Sequence, residues 1–121
     1  MGGPLFVVQK IKEAQKEAII AILPETPWEE TKPFWKDADG VMLLCVSPGF
    51  PGQAMNKNTV GKIKGLHAAC PSCIIEIDGG VHLRNAKELI DAGVNRLAAA
   101  SAIFGQKDIK KAIYELKRST H

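Results

Sequence analysis

The chain has 121 residues, of which 45% are hydrophobic and 24% charged, the composition of an ordinary globular protein with room for one domain. Its formal net charge of +3 is too small and too dispersed to favour a nucleic-acid partner. No apolar run approaches the roughly 18 residues of a membrane span and the first residues lack the charged start of a secretion signal, so we expect a cytoplasmic protein with no membrane partner.

The chain opens on an amphipathic helix, predicted over residues 6–16 from apolar residues that recur near helical spacing: Phe6, Val7, Ile11 and Ala14. Lysines are interleaved with apolar residues here and in a later helix, and we expect them to lie on solvated faces: Lys10, Lys12, Lys16, Lys57, Lys62 and Lys64. A second helix is predicted to start with Thr26 as its cap, because Pro27 suits the first helical position and Glu29 lies three residues past the cap. Pro33 keeps that helix short, since proline does not fit a helix interior.

Three further helices are predicted from the same periodicity. One spans about residues 58–69, and the next spans residues 85–92 and is ended by Gly93, the residue type that favours a helix C-terminus. The last helix starts near Asp108 and is expected to pack four apolar residues against the fold: Ile109, Ala112, Ile113 and Leu116.

Four apolar stretches separate the helices and predict strands over residues 17–23, 40–46, 74–78 and 96–100. Because strand and helix alternate, the strands should be parallel with helical crossovers, and their largely apolar composition predicts that both sheet faces are covered. The predicted class is α/β, a single domain over residues 1–121 that is either a small open sheet or a (β/α)4 half of a TIM-type barrel. The glycine-rich fingerprint of a dinucleotide fold is absent after the first strand, which favours the half-barrel.

The third strand delivers the first candidate site residue. Asp78 ends this short β-branched run and is followed by Gly79 and Gly80, whose missing Cβ atoms let backbone N–H groups approach an anion such as phosphate. The same three residues are also an ordinary turn sequence, and both interpretations stay open on this stretch alone. Sites in parallel sheets lie at the carboxyl ends of strands, where eight-stranded barrels commonly hold phosphate at the last two strands.

The cysteines admit two interpretations. Cys70 and Cys73 have the spacing of a thiol redox pair, but they lie between a helix and the start of a strand instead of at a helix N-terminus, where a thiol pKa would be depressed. An odd total of 3 cysteines fits a reducing compartment better than a disulfide framework. We expect the spacing to be accidental, with a redox or metal role as the alternative.

Three ordered motifs resemble the ribulose-phosphate 3-epimerase family. They are Val46-Ser47-Pro48-Gly49-Phe50-Pro51-Gly52-Gln53, then Ile77-Asp78-Gly79-Gly80-Val81, then Ala92-Gly93-Val94-Asn95 leading to Ala100-Ser101-Ala102-Ile103-Phe104. Leu23-Pro24-Glu25-Thr26-Pro27 also matches the family's strand-end proline and threonine, so the resemblance spans nearly the whole chain. The resemblance covers only the second half of the family's barrel.

The resemblance implies a sugar-phosphate epimerase of pentose phosphate metabolism, with a divalent metal, zinc or iron, stabilising an enediolate. It implies that Asp78 exchanges the C3 proton and also ligates the metal. It further implies that backbone N–H groups hold the phosphate, from Gly79, Gly80, Ala100 and Ser101. Finally, it implies a loop that closes over the sugar and includes Pro48, Gly49, Phe50, Gly52 and Gln53. Ala100 departs from the family, which has a glycine there.

The second aspartate and the histidine ligands belong to the first half of the family's barrel and have no counterpart in this sequence. His82 follows the third strand and is either a metal ligand or a solvated loop histidine. An isolated half-barrel leaves two sheet edges and an inner face uncovered, so we predict a homodimer or pairing with a complementary half-barrel.

Two main functions therefore stay open. The chain is an epimerase, or an epimerase half that a second half completes; or it is a non-catalytic phosphate-binding or structural half-barrel that self-associates. In either case the expected small ligand is a sugar phosphate or inorganic phosphate. A thiol redox module using Cys70 and Cys73 is a third hypothesis.

Overall fold

The structure, a computed structural model, describes residues 3–46 and 54–119. Helices and strands alternate in it as the sequence predicts, and the elements run in this order: α1 (Pro4–Glu13), β1 (Ile19–Ile22), a 3-10 helix (Trp28–Phe34), β2 (Gly40–Leu44), α2 (Thr59–Ala69), β3 (Ile74–Asp78), α3 (Ala86–Ala92), β4 (Arg96–Ala98), α4 (Ser101–Phe104) and α5 (Ile109–Ser119). No helix in these two ranges is long and apolar enough to cross a membrane.

The four strands form one sheet in the order β1-β2-β3-β4, and every neighbouring pair is parallel. One row of the register joins Ala21, Met42, Glu76 and Arg96 across all four strands. The predicted α/β class with helical crossovers is confirmed. Within the described ranges β1 and β4 each pair on one side only, so both edges of the sheet are free.

The hydrophobic core lies on one face of the sheet. Val41, Leu43, Ile75 and Ile77 point from the two central strands into a cluster with residues of α2 and α3, including Ile63, Leu66 and Leu89. Burial of such side chains contributes about 1.5–3 kcal/mol each, which makes this cluster the main stabilising contact of the fold.

The opposite face, which carries Ala21, Met42, Glu76 and Arg96, is here called the open face. Ala21 and Arg96 are exposed, and Met42 and Glu76 are only half-buried. The prediction that both faces are covered is therefore wrong for the described part of the chain. The apolar strand composition reflects a face that this part of the chain does not cover itself.

The first and last helices keep much of their apolar surface exposed. In α1 the buried residue is Val8, whereas Phe6 and Val7 of the predicted apolar face are exposed. In α5, Ile109 and Ile113 are 44% and 38% exposed, and Ala112 and Leu116 are half-buried. Both helices are confirmed, but the expected packing of the α5 apolar face holds only in part, since Ala112 and Leu116 are half-buried whereas Ile109 and Ile113 stay exposed.

The segment after β1 folds differently from the prediction. Pro27, not Thr26, precedes the first residue of a 3-10 helix, and no side chain caps it. Pro33 lies inside this helix instead of ending it. The buried Thr31 hydroxyl organises the segment: it donates to the Trp28 carbonyl at 2.7 Å and accepts the Trp35 indole N–H at 2.8 Å.

Three strands are shorter than predicted, since β1 spans only Ile19–Ile22, β2 ends at Leu44 and β4 ends at Ala98. The predicted helix ends fare better. Gly93 ends α3 with φ +131°, a conformation that favours glycine. Asp108 caps α5, since its carboxylate accepts the Lys111 N–H at 3.0 Å.

Cys70 and Cys73 form a disulfide, with their Cα atoms 5.4 Å apart. The expectation that their spacing is accidental is therefore wrong. The turn between α2 and β3 brings the two side chains together, and sequence spacing alone does not show that geometry. The remaining cysteine, Cys45, is free and buried.

Candidate functional site

Asp78 stands at the carboxyl end of β3 on the same face as Glu76, and its side chain is exposed. In the register it lies between Leu44 of β2 and Ala98 of β4. Its carbonyl accepts the Cys45 N–H at 2.9 Å, which extends the pairing of β2 and β3 past the end of β2. The carboxylate is thus presented at the end of the sheet, towards the open face.

Gly79 and Gly80 turn the chain directly after Asp78, with φ of +106° and +76°. A Cβ on Gly79 would lie 2.7 Å from Val46 Cγ2, and one on Gly80 would lie 2.9 Å from the Met55 backbone nitrogen. Both glycines are therefore required by backbone conformation and by close packing against neighbouring chain. This requirement holds whether or not the turn binds a ligand.

Asn85 holds this turn in place, a role that the sequence reasoning missed. Its Nδ2 donates to the Gly80 carbonyl at 2.9 Å, and its Oδ1 accepts the His82 N–H at 2.9 Å. The signal was available, because an asparagine just before a helix often bonds to the backbone of the preceding turn.

His82 is exposed, and its Nδ1 accepts the Arg84 backbone N–H at 3.2 Å. One of its two ring nitrogens is therefore already engaged within the loop. Among residues 3–46 and 54–119, no three His, Cys, Asp or Glu side chains come together as a group that could hold a metal ion. Asp78 would be a single ligand, so the described residues do not by themselves fit a metal centre.

Ala100 and Ser101 lie beyond the end of β4, the strand next to β3. The Ala100 carbonyl accepts the N–H groups of Ile103 at 3.0 Å and Phe104 at 2.7 Å, so α4 begins at this point. Because the two strands are parallel neighbours, both loops lie at the same end of the sheet. The fold therefore brings the two glycines, Ala100 and Ser101 to the same end of the sheet, where β3 and β4 end.

The loop predicted to close over a sugar falls outside the described residues: Pro48, Gly49, Phe50, Gly52 and Gln53. Its flanks are placed beside the candidate site. Val46 packs against Gly79 and Met55 against Gly80. The Asn56 N–H also donates to the Cys45 carbonyl at 2.7 Å, so both flanks approach the turn after Asp78.

Lys62 corrects the expectation that the helix lysines are solvated. It is only 9% exposed, and its Nζ donates to the carbonyls of Leu23 at 3.0 Å and Pro24 at 2.9 Å. Asn58 Nδ2 also donates to the Pro24 carbonyl, at 3.2 Å. Burial lowers the pKa of the Lys62 ammonium below its ordinary value. Lys62 therefore fixes the loop after β1 onto α2.

Cys45 lies under the same end of the sheet. Its Sγ lies 3.3 Å from the Leu43 carbonyl, to which it donates. Burial raises the pKa of this thiol, an effect that outweighs the opposing influence of Thr59 and Lys62. A buried thiol with a raised pKa is a packing residue and not a nucleophile.

A groove of about 750 Å³ lies beside the site instead of over Asp78. The loop after β3 and the start of α5 form its walls, and its cationic lining comprises Arg84, Lys107 and Lys111. Asp78 itself faces the open side of the sheet. The described residues thus supply one wall of the candidate site.

Residues 4–104 match the profile of the ribulose-phosphate 3 epimerase family. The chain belongs to this family. It is 38% identical to ribulose-phosphate 3-epimerase of Bacillus subtilis over 93% of this chain and 54% of that protein. It is likewise 38% identical to the chloroplastic ribulose-5-phosphate-3-epimerase of Arabidopsis thaliana, over 93% of this chain and 41% of that protein. The chain spans about half the length of these curated relatives.

Solved structures of TIM-barrel type share the fold. A 3-hexulose-6-phosphate synthase superposes with a TM-score of 0.70 at 16% identity, over 98% of this chain and 56% of that chain. The BexX/CysO complex of Amycolatopsis orientalis gives a TM-score of 0.74 at 13% identity, over 97% of this chain and 46% of that chain. At these identities the likeness concerns the fold alone. The predicted family and the predicted half-sized fold are both confirmed.

Proposed function

We propose that this chain binds a sugar phosphate and supplies one half of an epimerase site. The observation that carries the proposal is the sequence Asp78-Gly79-Gly80 at the carboxyl end of β3, beside the loop that begins at Ala100. Membership of the epimerase family makes a ketose phosphate the first substrate class to test. The sugar would bind at this end of the sheet, on the side of the open face, where the Asp78 side chain is exposed.

The phosphate would be held by backbone N–H groups from two adjacent loops, at Gly79 and Gly80 and at Ala100 and Ser101. Support comes from the positive φ angles of the two glycines and from the Asn85 hydrogen bond that fixes the Gly80 carbonyl at 2.9 Å. Such a turn can point backbone N–H groups at a bound anion without long side chains in the way, which suits a compact anion such as phosphate. Ala100 adds a Cβ to this cradle but stands on an exposed position with room for it.

Asp78 would take and return the proton at C3 of the bound sugar. A carboxylate within reach of that carbon supplies general base and general acid chemistry in turn. Inversion also needs a second acid on the opposite side of the sugar, which the described residues do not bring to Asp78. The family generally uses a divalent metal; because the described donors form no metal centre, we assign Asp78 only the proton transfer.

The missing wall would come from a second (β/α)4 unit, either another copy of this chain or a complementary half-barrel. Support comes from the free edges of β1 and β4, from the open face, and from the apolar residues left exposed on α1 and α5. Closure of the sheet would remove both edges and cover the face. If no second unit binds, the remaining function is phosphate binding without catalysis.

The test is exchange of the C3 proton of D-ribulose 5-phosphate in heavy water, followed by proton NMR, with and without added zinc. We expect exchange that disappears in Asp78→Asn and is retained in the matched control Asp91→Asn, an exposed carboxylate on α3. Retention of exchange in Asp78→Asn would contradict the assigned role.

Binding is measured separately by titrating inorganic phosphate and D-ribulose 5-phosphate into the isotopically labelled chain. NMR chemical-shift changes confined to the turn after Asp78 and to the loop at Ala100, without exchange of the C3 proton, would favour the non-catalytic function. Absence of binding by both ligands at millimolar concentration would contradict both functions.

A further inference from the structure

Cys70 and Cys73 form a disulfide at the end of β3 that is opposite to Asp78. Cys70 directly follows α2 and Cys73 directly precedes β3, so two residues separate them. The length of β3 puts about 16 Å between this turn and Asp78 at about 3.3 Å per residue. The disulfide is therefore distinct from the proposed sugar-phosphate site.

Main-chain hydrogen bonds hold the turn independently of the sulfur atoms. The Cys70 N–H donates to the Leu66 carbonyl at 2.8 Å and the Cys73 N–H to the Cys70 carbonyl at 3.1 Å. The Ile74 N–H donates to the Asp39 carbonyl at 3.1 Å, which ties the start of β3 to the neighbouring loop. Cleavage of the sulfur–sulfur bond leaves these bonds in place, so two thiols would stay close enough to pair again.

An exposed turn of two residues separates the disulfide from solvent. The two cysteines are buried, but Pro71 and Ser72 between them are exposed. Local opening of this two-residue turn would expose the sulfur atoms to a small reagent without unfolding of the core.

The position of the pair in the fold sets its chemistry. Cys70 follows the last residue of α2, where the partial negative charge of a helix C-terminus disfavours a thiolate. Catalytic pairs in thiol oxidoreductases have the opposite arrangement, at a helix N-terminus. The pair is thus not suited to catalyse exchange in other proteins, and its two cysteines are neutral thiols when reduced.

We propose that Cys70 and Cys73 are a reversible thiol–disulfide site whose co-reactant is a small dithiol. One thiolate of the dithiol attacks a protein sulfur, forms a mixed disulfide and displaces the other protein sulfur as a thiolate. The second thiol of the reagent then releases the remaining protein sulfur and closes as a cyclic disulfide. Two electrons and two protons pass to the protein, leaving two cysteine thiols and one oxidised reagent.

Reduction of the disulfide would change how firmly α2 is held. In the oxidised chain the disulfide fixes the C-terminal end of α2 to β3, while Lys62 fixes the other half of the helix to the loop after β1. In the reduced chain the last turn of α2 is held by hydrogen bonds and packing alone. We expect faster amide exchange at residues 67–73 after reduction, with the exchange of β2 unchanged.

The test counts free thiols by mass spectrometry after alkylation in denaturant. The chain has 3 cysteines, of which Cys45 is free, so the chain equilibrated with oxidised glutathione should carry one alkyl group. After native incubation with dithiothreitol it should carry three, and removal of the dithiol followed by reoxidation should restore one. Three alkyl groups per chain after treatment with oxidised glutathione, or a single alkyl group after incubation with excess dithiothreitol, would overturn the proposal.

Two variants separate this site from Cys45. Cys45→Ser should shift every count down by one while keeping the reversible change. The double variant Cys70→Ser/Cys73→Ser should carry one alkyl group under every condition, and dithiothreitol should lower the melting temperature of the parent chain by several degrees but not that of this variant. An equal response in both proteins would contradict the proposal. If the double variant does not fold, the thiol count of the parent chain decides alone.

Discussion

The Arg96 guanidinium on β4 forms a two-pronged ion pair with the Glu17 carboxylate just before β1, and the second contact, Nη2 to Oε2, measures 2.8 Å. These residues lie at the two edges of the sheet, 79 positions apart in sequence. Arg96 shares its register row with Glu76 on the open face. The pair therefore joins the outer strands across the end of the sheet that is opposite to Asp78.

This ion pair predicts a specific acid sensitivity. The Arg96 hydrogen bond lowers the pKa of Glu17 below its ordinary value of 4.5, so the folded chain binds a proton there less readily than the unfolded chain. The stability contributed by Glu17 is present above the unfolded pKa and is lost as pH falls through the folded pKa. Glu17→Gln should therefore destabilise the chain at pH 7, and this difference should shrink progressively as pH falls below 4.5, as measured by urea unfolding across this range.

The control for the ion pair is Asp91→Asn. Its partner Lys87 lies one turn away on α3, and both side chains are more than 60% exposed, at 61% and 62%. Removal of this pair should leave the pH dependence of unfolding unchanged. If Glu17→Gln and the parent chain instead differ by the same free energy of unfolding at every pH, ionisation of Glu17 does not account for the stability that the ion pair contributes.

The turn after Asp78 should tolerate no side chain at Gly80. Its φ of +76° and the 2.9 Å approach to Met55 predict that Gly80→Ala costs at least about 1–2 kcal/mol of unfolding free energy. Gly61→Ala is the matched control, because Gly61 lies inside α2 with open space around it and should gain about 0.5–1 kcal/mol. Equal effects of the two substitutions in chemical unfolding would refute the strained turn.

Lys62 should be the most important lysine of α2 for stability. Lys62→Met removes the ammonium that donates to the Leu23 and Pro24 carbonyls, and hydrogen bonds from charged groups predict a loss of about 1.5–3 kcal/mol. Lys64→Met changes an exposed lysine two residues away and should stay within about 0.5 kcal/mol of the parent chain. Urea unfolding of both variants checks this, and a loss of equal size in Lys64→Met would show that helix propensity, not the buried ammonium, is responsible.

The sheet and the position of Asp78 at the carboxyl end of β3 were predictable because their signals are local: a β-branched run, a terminal acid and two glycines. Lys62 was missed because its residue type suggests solvent, although it lies one position before Ile63 and four before Leu66 on the buried stripe of α2. The open face was missed for another reason. An apolar strand residue such as Met42 shows that a face needs cover, but not whether this chain supplies it.

The exposed apolar face of α5 predicts association of the chain. Ile109 and Ile113 are only partly covered in the described structure, so Ile109→Lys/Ile113→Lys should change the stability of the isolated unit by no more than about 1 kcal/mol while preventing contact with a second unit. In sedimentation velocity at micromolar concentration, the parent chain should associate and the double variant should sediment as a monomer. Lys110→Glu, an exposed position on the same helix, is the control that should keep association. A parent chain that stays monomeric would exclude the second copy and leave the complementary half-barrel as the partner to seek.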